Sequence, residues 1–454
     1  MTIATINRFI SLFHDAFDAM ELRVTMADIE RMAMLVHHSM ESKTRAYHTA
    51  SHVFYMCDGM NPRQVLAALF HDVIYFQLDG GVPPHAAPLL ADVVRLEGGT
   101  VWIRNALSED AAVTLCVDIF GFRAGQSLPL YGGMNEFLSA IVAARMLHGH
   151  VTMVDLIAIV ACIEATIPFR APDAQGKSAT DVLAQRVQAQ YQQRVSTLSA
   201  ADQALATETV MKDAVQLANR DVGSFGEPDP GLFLSSTWLL IDESNAPLAA
   251  VGIYSLKEYR MALRRMDLFL SALNSEHIFQ SHDGYPDDTE MARLRTIATR
   301  NIAFACNFLD AKITSTAIIE ALALCTGPDC PISMFLGDIR SSEGKPDRVE
   351  DFLPAAPQGQ HTQSELLRVL ERGRTLQSAN DLTASPLTAF VYRYLGHEGT
   401  HLAMVEARKM FDGVLSAEEF LRALNRNMVK AVIQACARIA LSRQDALLAL
   451  GKTI

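Results

Sequence analysis

The chain is short of positive charge. Across 454 residues it carries 39 Lys+Arg against 51 Asp+Glu, a formal net charge of −12. That deficit argues against a nucleic-acid surface held by bulk charge, although a local basic patch is compatible with it. Long apolar runs are missing too. No uncharged stretch approaches the roughly 18 residues a membrane span requires, and Leu156 to Ile163 is among the longest. The amino-terminal MTIATINRFISLFHDAF has no basic lead and places Asp15 and Asp18 early, so it reads as an amphipathic helix and not a signal peptide. Seven cysteines include no CxxC pair, which argues against a zinc knuckle or a thioredoxin-type site. Cys57, Cys116, Cys162, Cys306 and Cys436 sit among apolar residues as small core hydrophobes, while Cys325 and Cys330 flank a TGPD turn. A reducing compartment suits this usage. The expectation is a soluble cytoplasmic protein without membrane contact.

What is present is a large apolar content. Half of the residues are hydrophobic and a fifth are charged, enough to bury a sizeable core and to exclude wholesale disorder. The length gives a prior of two to three domains. Apolar residues recur at three- and four-residue steps in Ile6, Phe9, Ile10, Phe13 and Phe17. The same period appears in Val65, Leu66, Leu69 and Phe70, and through 136–147, 153–163 and 429–449. Two-residue alternation is scarce. Residues 233–241 and 249–254 are short enough for strands, but buried helix fits equally. Punctuation falls at Gly80-Gly81-Val82-Pro83-Pro84, Gly98-Gly99, Gly132-Gly133 and 226–230, and 340–363 reads as an exposed polar loop. The fold class is mainly α.

The chemistry concentrates in two short stretches. Arg45-Ala-Tyr47-His48 leads to His52, and an apolar Leu66–Phe70 leads to His71-Asp72. His48 and His52 are four apart, so a helix would put them on one face. An imidazole followed at once by a carboxylate in an apolar segment costs desolvation energy unless something compensates it. A divalent cation would compensate both. This donor chemistry suits Mn, Fe, Co, Ni or Zn, and a carboxylate-rich remainder admits Mg.

Tyr47-His48-x-x-x-His52 with Ala67-Ala-Leu-Phe-His71-Asp72 resembles the HD superfamily of metal-dependent phosphohydrolases. The local form is closest to the cyclic-nucleotide phosphodiesterase branch and its bacterial relatives. Asn135-Glu136-x-x-Ser139-Ala140 resembles a helix motif of bacterial HD proteins, which makes Glu136 a further candidate. The resemblance covers roughly residues 20–235. It implies an HD-type helical bundle over 1–235. The amphipathic helical patterns that follow read separately as a helical accessory domain over 236–454 that completes the pocket or makes a homodimer. The resemblance implies His48 as proton donor, His52 and His71 as ligands, and Asp72 as a ligand bridging metals and central to catalysis. A late aspartate is also implied. Asp221 is favoured, with Glu164 and Asp155 as the other candidates. The Ile-Pro after Thr166 departs from the phosphodiesterase pattern, which has an Asp there. The reaction implied is attack of a metal-activated water on a phosphate ester of a small substrate, a nucleotide or cyclic nucleotide first. Arg45 would steady a substrate phosphate, as would Lys43 or Arg170, unless each is a solvated surface charge.

Two other readings stay open. An HD-like scaffold could bind nucleotide or metal for signalling without turnover. His397-Glu398-Gly399-Thr400-His401 is a literal HExxH, which would give a second metal site at His397 and His401, or a metallopeptidase. Gly399 weakens a helix there, and no third ligand has a convincing spacing. Gly176-Lys177-Ser178 lacks the first glycine of a phosphate-binding loop. Ser416 with Glu419 reads as a helix capping box and not as half of a calcium loop.

Overall fold

The central helix of the amino-terminal half, Met153–Ala165, is apolar all round, and every residue from Asp155 to Ala165 is buried. A helix of that kind must be enclosed by others. In the computed structural model, which describes residues 4–107, 109–337, 347–356, 364–376 and 381–454, that is its position. The chain is 67% helical and 4% strand, so the mainly α class holds. Two compact units are seen: Met1–Gly226 with Asn274–Ala298, and Glu227–Leu273 with Thr299–Ile454.

In the first unit the helices are α1 (Thr5–Ala19), α2 (Met26–Met40), α3 (Ala50–Cys57), α4 (Pro62–Phe70) and α5 (Phe76–Asp79), then α6 (Ala111–Phe120), α7 (Met134–Leu147), α8 (Met153–Ala165), α9 (Ala179–Arg194) and α10 (Ala200–Asp221). The helix α8 packs against α4, α7, α9 and α10, while α1 covers α2 and α4. Phe9, Phe13 and Phe17 are buried along one stripe of α1, each contributing about 1.5–3 kcal/mol of transfer free energy. Between α5 and α6 an antiparallel hairpin pairs Val94–Glu97 with Thr100–Ile103. Its turn residues Gly98 and Gly99 have φ of 60° and 80°, the left-handed pair that a two-residue hairpin turn demands.

The second unit contains α11 (Pro230–Ser244), α12 (Leu256–Ala272) and α13 (Asp288–Thr326), whose opening turns belong to the first unit. It continues with α14 (Ser333–Leu336), α15 (Glu365–Arg372), α16 (Pro386–Phe411), α17 (Ala417–Ala423), α18 (Arg426–Ile439) and α19 (Gln444–Thr453). Of the two stretches open between strand and buried helix, 233–241 is helical within α11, whereas 249–254 is neither: Ala246–Ala249 is a 3-10 turn and 250–254 continue as turn. The 429–449 stretch is two helices separated by a turn at Leu441–Arg443. Within the polar 340–363 stretch, Val349–Phe352 forms a 3-10 turn with Val349 buried, while 340–346 and 357–363 lie outside the described residues. Cys306 is only half-buried, whereas Cys57, Cys116, Cys162 and Cys436 are buried as expected. Among the described residues no helix is long and apolar enough to cross a membrane.

Candidate metal centre

Three helix ends bring the histidines and aspartates together. The helix α3 starts after Thr49, which puts His52 in its first turn. The helix α4 opens with a capping box between Asn61 and Gln64, has Pro62 at its first position, and ends at Phe70. His71 therefore caps α4, and Asp72 lies just beyond it. The helix α10 ends at Asp221. Ties between helices hold this arrangement. Asn61 donates to Asp213 Oδ1 at 2.9 Å, and the Gln64 amide donates to the Asp213 carbonyl at 2.9 Å. His48 does not share a helical face with His52, because the chain there is still outside α3.

The ligand atoms of His52, His71 and Asp72 all lie within 4.8 Å of one another, and this is the one such group of three among the described residues. His71 Nε2 is 2.9 Å from Asp72 Oδ2, and His52 Nε2 is 3.7 Å from the same oxygen. Asp221 Oδ1 stands 3.0 Å from His52 Nε2 and 3.7 Å from His71 Nε2. The ring of His48 lies 5.7 Å from that of His52 and 4.7 Å from that of Tyr75.

His71 Nδ1 is 2.8 Å from the Ala68 carbonyl oxygen. A carbonyl only accepts, so Nδ1 carries the proton and Nε2 presents its lone pair to the cluster. Both His71 Nε2 and Asp72 Oδ2 are buried without a well-formed hydrogen bond. A lone pair facing a carboxylate oxygen needs a positive charge between or upon them. Without a metal, that charge is a proton. Burial opposes it on His71, but Asp72 and Asp221 outweigh burial and hold the imidazole well above its ordinary pKa. Burial likewise opposes charge on Asp72, and His71 and His48 hold it well below the usual carboxylate range. Asp221 is lowered in the same way against burial, by His52 and His71. A divalent cation fits this donor set of two imidazoles and two carboxylates.

The remaining candidates fall elsewhere. Arg45 is fully engaged within the protein: its guanidinium clamps Asp79 at 3.1 and 2.7 Å and donates to the Asp72 carbonyl at 2.8 Å. It braces the backbone at Asp72 and does not offer itself to a substrate phosphate. Glu164 is buried against Arg170, with bonds of 2.7 and 3.1 Å, and Asp155 caps α8 and pairs with Arg63 at 2.7 Å. Neither joins the cluster. Glu136 is half-buried at the start of α7, and it senses Asp72 and Asp221. Its motif partners act on the backbone beyond Asp72. Asn135 accepts from the Phe76 N–H at 3.0 Å, and Ser139 accepts from the Ile74 N–H at 3.1 Å. The motif spacing marked Asn135 and Ser139 without revealing this bracing role, and the Arg45–Asp79 pair carried no signal in sequence spacing.

His397 and His401 do not form a comparable centre. The helix α16 is broken at Gly396, with φ 65° and ψ −170°, and not at Gly399. His401 is 68% exposed, with Asp310 at 3.9 Å, and Arg408 also reaches Asp310 at 3.9 Å. A cation already offsets that carboxylate. Ser416 and Glu419 do form a capping box, at the start of α17. No family model, curated protein or solved structure matches this chain.

Proposed function

We propose that the chain is a metal-dependent phosphohydrolase acting on a small phosphate ester, with nucleotides and cyclic nucleotides the first class to test. The observation that carries this reading is the convergence of His52, His71, Asp72 and Asp221 around buried, unsatisfied ligand atoms. These four residues would hold a divalent ion, and Mn, Fe, Co, Ni, Zn and Mg are all compatible with the donor set. When bound, such an ion supplies Lewis acidity and a water acidified toward neutral pH. The protein's own residues do the rest. The His71–Ala68 bond fixes the tautomer, and Arg45, Asn135 and Ser139 fix the backbone around Asp72. His48 would donate a proton to the leaving oxygen, a task suited to an imidazole near pH 7.

The test is turnover of a phosphomonoester, phosphodiester and cyclic-nucleotide panel with added Mn, comparing wild type with His48→Gln. The reading expects His48→Gln to keep its metal and lose turnover by about 10²–10⁴-fold. Metal-loaded wild type that turns over nothing in the panel would favour a non-catalytic binding scaffold instead.

A further inference from the structure

Two of the three cations that the sequence offers to a substrate phosphate are committed inside the protein, Arg45 to Asp79 and Arg170 to Glu164. The third, Lys43, is exposed. Arg220 differs from all three. It stands in the last turn of α10, directly before Asp221, and it is half-buried. Among the described residues no carboxylate lies within 4.0 Å of its guanidinium, and it makes no hydrogen bond. Its charge rests on an aromatic face: Cζ lies over the Tyr55 ring, 5.0 Å from the centroid.

That ring belongs to the surroundings of the histidine cluster. Tyr55 is three residues beyond His52 on α3, so the two side chains are neighbours, about 5–6 Å apart at Cβ. A Cβ added to Gly223 would stand 2.9 Å from Tyr55 Oη, so the phenol abuts the turn that follows Asp221. The guanidinium is thus held beside the His52–Asp221 pair, which closes to 3.0 Å. Tyr55 is 49% exposed, which leaves the pair it makes with Arg220 open to solvent.

The charge count of a loaded centre asks for such a group. Asp72 and Asp221 together cancel a divalent ion, and neutral imidazoles add nothing. A phosphate monoester carries about −1.5 to −2 charges at pH 7. A guanidinium offers paired N–H donors that match two phosphate oxygens.

We propose that Arg220 is a substrate-binding residue of the candidate metal centre, taking two non-bridging oxygens of a phosphate group, with Tyr55 as the platform that positions it. This assignment rests on the phosphohydrolase reading above and names the phosphate contact within it.

The test is titration calorimetry of inorganic phosphate into Mn-loaded full-length protein, with Mn content and Tm measured for each variant. Wild type is compared with Arg220→Gln, Arg220→Lys, Tyr55→Leu and a double variant carrying Arg220→Gln and Tyr55→Leu. Phosphate is expected to saturate a site in wild type. Arg220→Gln should weaken it about ten-fold or more at unchanged Mn content, the effect of losing hydrogen bonds to a charged group. Arg220→Lys should recover only part of the loss, because it keeps the charge without the paired donors. It carries the test should Arg220→Gln not fold, and wild-type affinity in it would then overturn the proposal. Tyr55→Leu should weaken phosphate several-fold alone and add nothing in the double variant, because it acts through Arg220. Absence of saturation in Mn-loaded wild type overturns the proposal. Unchanged affinity in Arg220→Gln overturns it while the metal centre stands, and a lowered Tm with that result assigns Arg220 to the α10 dipole. Wild type that takes up no Mn overturns the phosphohydrolase reading and this inference with it. Affinity weakened in Arg220→Gln, with no ester turned over by wild type, upholds Arg220 as the anion contact of a binding scaffold.

Discussion

The Nδ1–H of His71 donates to the carbonyl oxygen of Ala68 at 2.8 Å, one turn back along the helix that His71 caps. That bond turns Nε2 toward Asp72 and Asp221 and leaves it with a lone pair there. The chain thus commits His71 to binding a positive charge before any ligand arrives. Removing the imidazole should abolish that commitment. His71→Ala and His52→Ala are each expected to weaken Mn or Zn binding beyond the ~10–100-fold that loss of an outer-shell partner costs. Competition with a fluorescent chelator measures this.

Arg45 should behave as a structural residue. Its side chain is fully buried and its partner Asp79 is 6% exposed. Breaking such a pair from one side typically costs about 3–5 kcal/mol. Arg45→Ala is expected to lower the urea midpoint by a corresponding amount. Arg45→Lys should also destabilise, because an ammonium cannot make the two parallel bonds to Asp79 and also reach the Asp72 carbonyl. Normal stability with a raised KM would instead make Arg45 a substrate contact.

Glu136 sets a pH dependence in metal-free protein. Burial raises its carboxyl from an ordinary 4.5 to about 7; a backbone bond works the other way, and Asp72 and Asp221 push it further up. The folded state therefore holds the proton more tightly than the unfolded chain. This contribution is fully present below pH 4.5, declines as pH rises toward about 7, and is level above that. With chelator present, Glu136→Gln should raise Tm relative to wild type above pH 7. The difference should vanish below 4.5. Parallel Tm profiles for the two proteins would show that Glu136 is ordinarily solvated.

His397→Ala and His401→Ala should leave metal content and stability nearly unchanged. The exposed His401 and the guanidinium of Arg408 beside Asp310 argue for an ordinary helix surface. Loss of metal in either variant, with His71→Ala still loaded, would transfer the centre to α16.

The clustering of the candidate ligands was legible because their cost is local. His71-Asp72 in an apolar run is expensive on its own, whatever the fold. Local cost alone does not rank Asp221 above Glu164, since each lies near the end of a helix after an apolar lead-in, and it was the resemblance that favoured Asp221. Only packing shows that Arg170 neutralises Glu164 while Asp221 reaches His52 across 169 positions. The four-residue spacing of His48 and His52 would put them on one helical face only if both were helical, and spacing does not reveal that α3 begins at Ala50. The 94–103 hairpin was marked by Gly98-Gly99, but its strands VRLE and TVWI are too short for alternation to stand out. Residues 233–241 show the reverse problem: in a short apolar run, helix and strand share one pattern until neighbours decide.

Under the proposed function, Asp72 and its neighbours bind a divalent metal ion used in phosphate-ester hydrolysis. The most direct measurement is metal content by mass spectrometry on chelator-free protein, wild type beside Asp72→Ala. The same samples would be assayed with Mn on bis-p-nitrophenyl phosphate. Bound metal and turnover are expected in wild type, with both lost in an Asp72→Ala variant that remains folded by circular dichroism. A folded wild type that takes up no metal after addition of Mn or Fe would contradict the proposed function.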